Sequence, residues 1–140
     1  MIDIHKDHLG LVAVDVPLIS NLNVCDNIAL IIQYHQNVPA KQAAQFVISS
    51  LKRFGMESIA CKRNPSLTDE ERFCAMLLRA AMVTDAIILI DRPLKILPDL
   101  EEKSFFYDVL GSLADTFHEC HILDYEWNRE RYEMIYEIKQ

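Results

Sequence analysis

Residues 64–98 read NPSLTDEERFCAMLLRAAMVTDAIILIDRPLKILP, and the order of signals in this stretch decides the fold. Thr68 is placed to cap a helix N-terminus. Asp69, Glu70 and Glu71 follow it, where negative charge suits the positive end of the helix dipole. Phe73, Met76, Leu77, Ala80 and Ala81 recur at helical spacing, with Cys74 and Leu78 filling in between. Thr84-Asp85 breaks the pattern. Ala86 to Ile90 is then a continuous apolar run holding three isoleucines, as expected of a strand buried on both faces. The run ends at Asp91, which would stand at the carboxyl edge of a sheet, where α/β folds place ligands.

Upstream of this stretch, Leu9 to Val14 (LGLVAV) reads as a short buried strand. Val24 to about Gln36 reads as a helix, with Asn23 or Asp26 near its start. Pro39 opens a second helix, Ala40 to Phe54, whose apolar positions are Ala43, Ala44, Val47, Ile48 and Leu51, and Gly55 supplies a left-handed stop. Three helices thus separate two strands. Downstream, Pro98 and Asp99 open a helix over Leu100 to about Thr116, with Phe105, Phe106, Val109, Leu110 and Leu113 facing inward. His118 to Asp124 reads as a strand, and Arg131 to Ile138 as a closing strand or a short helix.

The 140 residues are enough for one domain with a real core. A net charge of -7 disfavours generic binding to a phosphate backbone, so nucleic acid is not an expected partner. No apolar run approaches the roughly 18 residues of a membrane span, and the start lacks the apolar core of a signal peptide. Cys25, Cys61, Cys74 and Cys120 form no CxxC pair and read as reduced thiols of a cytoplasmic protein. Only three glycines are present, where average usage of roughly 7% would give about ten. A phosphate-binding loop GxxxxGK[ST] needs two glycines for close backbone approach, and no such spacing occurs.

Leu67, Glu71, Arg72, Arg79, Ala80, Asp91, Pro93 and Leu97 stand in register with one known pattern. The chain resembles the second half of an ABC transporter ATPase domain. That family writes Leu-Ser-Gly-Gly-Gln/Glu, a helix ending Ala-Arg-Ala-Leu, four apolar residues, Asp-Glu-Pro and a Ser-Ala-Leu-Asp turn. Leu22, Val24, Asn27 and Ile28 match its earlier Leu-Thr-Val-x-Glu-Asn-Ile segment. The resemblance runs from about Leu9 to Ile138. It implies a partial P-loop NTPase-like α/β fold, a mostly parallel sheet with an inserted helical subdomain. Residues 1–140 would form one such domain, with the helical subdomain at about 24–83 and the sheet core at 9–14 and 86–138.

The same alignment finds the nucleotide chemistry missing. The signature glycines are Asp69 and Glu70, and the catalytic Glu after the strand aspartate is Arg92. The Mg²⁺-sensing Gln falls on Val14, whose side chain cannot hydrogen-bond. The switch His falls on Tyr125. These relic positions, with Asp91, imply no catalytic residues and no bound cofactor. Asp91 retains a carboxylate able to hold Mg²⁺, but pairing with Arg92 or a nearby Lys is the expectation without a phosphate cradle. His118, Cys120 and His121 lack a second ligand pair of metal-site spacing, so no metal site is expected.

The resemblance implies a non-catalytic interaction or regulatory component of an ABC-type transport system. Its partner would be an ABC permease, an ATPase subunit or a second copy of the chain, engaged at the inner face of the membrane without insertion. Val16, Leu18, Ile19, Leu22 and Asn27 are the expected contacts, because this loop borders the groove that receives a permease helix in the family. The alternative is half of a composite ATPase whose phosphate loop comes from another chain; a decayed fragment is the third reading. In the family, the phosphate-loop strand lies between the strand matching His118–Asp124 and the last strand. Its absence predicts that Met1 to His5, the last strand or a second chain covers the edge left behind.

Overall fold

The computed structural model describes residues 8–98 and 103–125. Among the described residues, three parallel strands form the sheet in the order β1-β2-β3: β1 is Leu9–Val12, β2 is Ile87–Asp91 and β3 is Glu119–Leu123. Between β1 and β2 run three helices, α1 (Val24–Gln36), α2 (Ala40–Arg53) and α3 (Asp69–Ala81). A fourth, α4 (Lys103–Ser112), lies between β2 and β3. The architecture is the expected α/β one, a small parallel sheet with a helical insertion.

Local chemistry sets the helix ends. The Asn23 side chain accepts from the Asp26 amide and starts α1. Pro39, with its fixed φ, precedes α2, and Gly55 turns the chain away at φ 66°. At α3 the Glu71 amide donates to Thr68 Oγ1 at 3.1 Å, and the Thr68 amide donates to Glu71 Oε1 at 2.9 Å, a reciprocal cap. Arg72 secures the approach to α3, donating to the Asn64 side chain and to the carbonyls of Asn64 and Leu67.

Both α3 and α4 cover the same face of the sheet. Gly10 of β1 passes so close to α3 that an added Cβ would lie 2.4 Å from the Ala80 carbonyl oxygen. Val12, Ile88 and Ile90 share that face and are buried with Phe73, Leu77 and Phe106. The Phe73 and Phe106 rings pack at 5.1 Å between centroids, joining the two helices.

Several boundaries and faces differ from the sequence reading. β2 is fully buried on one face only: Ile87 and Leu89 are half-covered, because α3 and α4 lie on the opposite side. β1 stops at Val12, and a turn closed by the Val16 amide on the Ala13 carbonyl carries Val14 out of the sheet. α4 ends at Ser112, after which successive short-range bonds, including Thr116 to Leu113, tighten the chain into turns. In α2, Ile48 is exposed, while Ala43, Val47 and Leu51 face the core. Met1 to His5, Asp99, Leu100 and Arg131 to Ile138 lie outside the described residues, and with them the expected cover for the outer edge of β3.

Candidate functional site

The carboxyl ends of the three strands converge on one cluster. Asp91 closes β2, and Arg92 follows it in the left-handed region at φ 47°, a conformation costly for a side-chain-bearing residue. The Arg92 amide donates to the Leu123 carbonyl at 2.7 Å, which fixes that turn against the end of β3. Its guanidinium then folds back on its neighbour: Nε donates to Asp91 Oδ1 at 3.2 Å and Nη2 to Oδ2 at 3.1 Å. This is a bidentate, charge-assisted pair that uses both carboxylate oxygens. Asp15, just past β1, approaches Arg92 at 3.9 Å. The hydrogen bond to Asp91 first, then the one with Tyr125 and the Asp91 charge, push the Arg92 pKa further up.

Asp91, Arg92 and Tyr125 are therefore brought together at the sheet edge. Val14 sits close in sequence on the exposed turn after β1. Asp69 and Glu70 belong elsewhere, in the first turn of α3, where Asp69 pairs with Arg72 at 3.1 Å. Asp91 meets an arginine where a divalent cation would need its oxygens. Among the described residues no group of three His, Cys, Asp or Glu side chains could hold a metal ion. His121 instead contacts Glu119 at 2.9 Å.

A second feature is the loop over 16–23. Two side chains hold it. Arg79, on α3, donates to the carbonyls of Val16 at 2.6 Å and Pro17 at 2.9 Å, and burial lowers its pKa. Asn27, on α1, accepts from the Ile19 amide and donates to the carbonyls of Ile19, Leu22 and Asn23. Beside the loop is a mostly apolar groove of about 240 Å³, walled by Leu9 and Leu11 of β1, Leu30 and Ile31 of α1, and Ile19 and Arg79.

The expected contact set is corrected here. Leu18 is only 3% exposed and joins the core. Asn27 is also 3% exposed, and its amide is consumed by the loop backbone. Neither presents a side chain to a partner. Val16, Ile19 and Leu30 are 39%, 48% and 44% exposed and form the apolar rim; Leu22 is half-buried. Leu30 was missed in the sequence because it sits at a helical position that the core-facing pattern does not need. The holding role of Arg79 was missed because it joins segments far apart in the sequence, and that of Asn27 because it depends on how an irregular loop within eight residues of it folds back. Asn27 alone left a trace, a polar residue between buried Val24 and Ile28.

The fold has solved counterparts. The dimeric ATP-binding cassette MJ0796, in a post-hydrolysis state bound to ADP and Pi, superposes with a TM-score of 0.63 at 21% identity, over 89% of this chain and 55% of that one. A second dimeric structure of MJ0796, a bacterial ABC transporter cassette, gives 0.61 at 21% identity, over 86% and 53%. No protein-family model and no curated protein matches the sequence. The fold is thus that of an ABC-type, P-loop NTPase-like ATP-binding cassette. The chain spans about half the length of the cassettes it matches. No helix among the described residues is long and apolar enough to cross a membrane.

Proposed function

We propose that this chain is a non-catalytic, cassette-like protein that acts as an interaction or regulatory component of an ABC-type transport system. The observation that carries the reading is the apolar groove rimmed by Val16, Ile19 and Leu30 beside a firmly held loop. Exposed apolar clusters of this kind mark contact sites. By the family resemblance this is the region that docks on a permease. The sheet-edge cluster supports the non-catalytic half: Arg92 occupies both oxygens of Asp91, and Val14, Asp69, Glu70 and Tyr125 replace the groups that would handle nucleotide. The partner is a permease, an ATPase subunit or a second copy of the chain, since the similar cassettes are dimers.

The second reading is half of a composite ATPase whose phosphate loop is supplied by another chain.

The test is recovery of the tagged protein from membranes. Wild type is expected to bring down a permease or ATPase subunit, and Ile19→Asp and Leu30→Asp to lose it while remaining folded. Equal recovery of the same proteins by wild type and both variants overturns the groove assignment. Nucleotide retained only when a partner chain is present moves the composite reading ahead.

A further inference from the structure

Two of the four cysteines lie on segments that meet across a contact the proposed function does not use. The segment entering α1 runs antiparallel to the segment leading towards α3, with Asn23 bridged to Arg63. The Val24 amide donates to the Lys62 carbonyl at 2.8 Å, and the Cys25 amide to the Ala60 carbonyl at 3.0 Å. That bond sets Cys25 beside the peptide joining Ala60 to Cys61, and the Cys61 charge is among those that act on the Cys25 thiol. Standard backbone dimensions place the Cα of residue 61 close to the oxygen that the Cys25 amide contacts, so the two Cα atoms lie within about 7 Å. That is within the Cα separation a disulfide spans, and turning Cys25 Sγ from Ala44 towards Cys61 would complete the geometry.

We propose that Cys25 and Cys61 form a reversible disulfide that fastens the start of α1 to the segment leading into α3. The two thiols are unequal in a way that orders the reaction. Cys61 is exposed and Cys25 is buried. Cys25 Sγ now makes a long contact of 3.8 Å to the Ala44 carbonyl, which bond formation would release. Burial first, then the charges of Asp26 and Cys61, push the Cys25 thiol up, so it is the poorer first nucleophile. Cys74, by contrast, is locked in the core of α3.

The oxidant is a small-molecule disulfide of the glutathione type. The Cys61 thiolate attacks one sulfur of oxidised glutathione, breaking its S–S bond; the departing glutathione thiolate takes up the proton that Cys61 lost. The Cys25 thiolate then attacks Cys61 Sγ, breaking the mixed disulfide, and the second glutathione leaves with the Cys25 proton. Two protein thiols are oxidised and one glutathione disulfide is reduced to two thiols.

The experiment uses the full chain, incubated with oxidised glutathione and then alkylated under denaturing conditions. The expected result is a fall from four alkylated thiols to two, a digest peptide linking Cys25 to Cys61, and recovery of all four with excess reduced glutathione. Cys25→Ser is expected to stop at a glutathione adduct on Cys61. Four free thiols after oxidation, an adduct on Cys61 with Cys25 still alkylated, or a bond between Cys61 residues of two chains overturns the proposal. The result is independent of what docks in the groove.

Discussion

Asn27 and Ile19 are joined by two hydrogen bonds: Asn27 Oδ1 accepts from the Ile19 amide at 2.7 Å, and Nδ2 donates to the Ile19 carbonyl at 3.1 Å. One buried side chain thereby does for this loop what a neighbouring strand does in a sheet. The loop holds an apolar rim in the open although its own residues form no regular element.

Asn27→Leu removes this fastening while keeping the side chain's size. The Ile19 amide and carbonyl lose their partner in a part-buried place, which costs about 1 kcal/mol. Chemical denaturation should report a loss of that size. Amide exchange should rise at Ile19 before it rises in α1. Unchanged protection at Ile19 would show that Arg79 alone holds the loop.

Gly10 and Gly111 make a matched pair of opposite sign. A Cβ on Gly10 would press on the Ala80 backbone, which cannot swing aside, so Gly10→Ala should destabilise by about 1–3 kcal/mol. A Cβ on Gly111 meets nothing within 4 Å near the end of α4, so Gly111→Ala should stabilise by about 0.5–1 kcal/mol. Thermal melts of the two variants check both signs in one experiment.

Cys74 gives the protein an alkaline limit. Burial, then the charges of Glu70 and Glu71, push its thiol from the ordinary 9.0 up to about 12. Above pH 9 the unfolded chain releases this proton while the folded chain keeps it, so raising the pH from about 9 towards 12 favours unfolding. Cys74→Ala is expected to be less stable at neutral pH, from the lost packing, but to lose less stability across that window. Parallel pH slopes for the two proteins would remove Cys74 as the cause.

Nucleotide is the direct probe of the sheet-edge cluster. Millimolar Mg²⁺–ATP should leave the melting temperature of the pure chain unchanged, because Arg92 already holds both oxygens of Asp91. A ligand at 100 times its Kd would stabilise by about 2.7 kcal/mol, which a melt detects easily. A shift that disappears in Asp91→Ala would mean that nucleotide displaces the arginine, and the composite ATPase would become the better reading.

The helices were legible because their ends are written in single residues: Asn23, Pro39, Gly55 and Thr68 each act locally. The strand positions were legible from apolar runs, but their cover was not. The run from Ala86 to Ile90 looks the same whether one face or two is packed, since isoleucine suits both. At the sheet edge, Asp91 and Arg92 were readable as neighbours, and their pairing needed only adjacency. The loop resisted reading for the opposite reason. Leu18 and Ile19 are consecutive and apolar, and with no periodicity in an irregular segment nothing marks the first as buried and the second as exposed. The clamp from Arg79 joins residues 62 and 63 positions apart and leaves no local trace.

Leu9 pairs with Ile87, so all of α1, α2 and α3 lies between two adjacent strands. During synthesis β1 is made long before the strand it must join, and closing so large a loop comes late in folding. The helical insertion therefore has to gather first, with α1 against α2, while β1 waits with an apolar edge and no partner. A chaperone or a permanent companion that shields β1 in that interval would raise the yield of folded chain without adding any stability to the finished one.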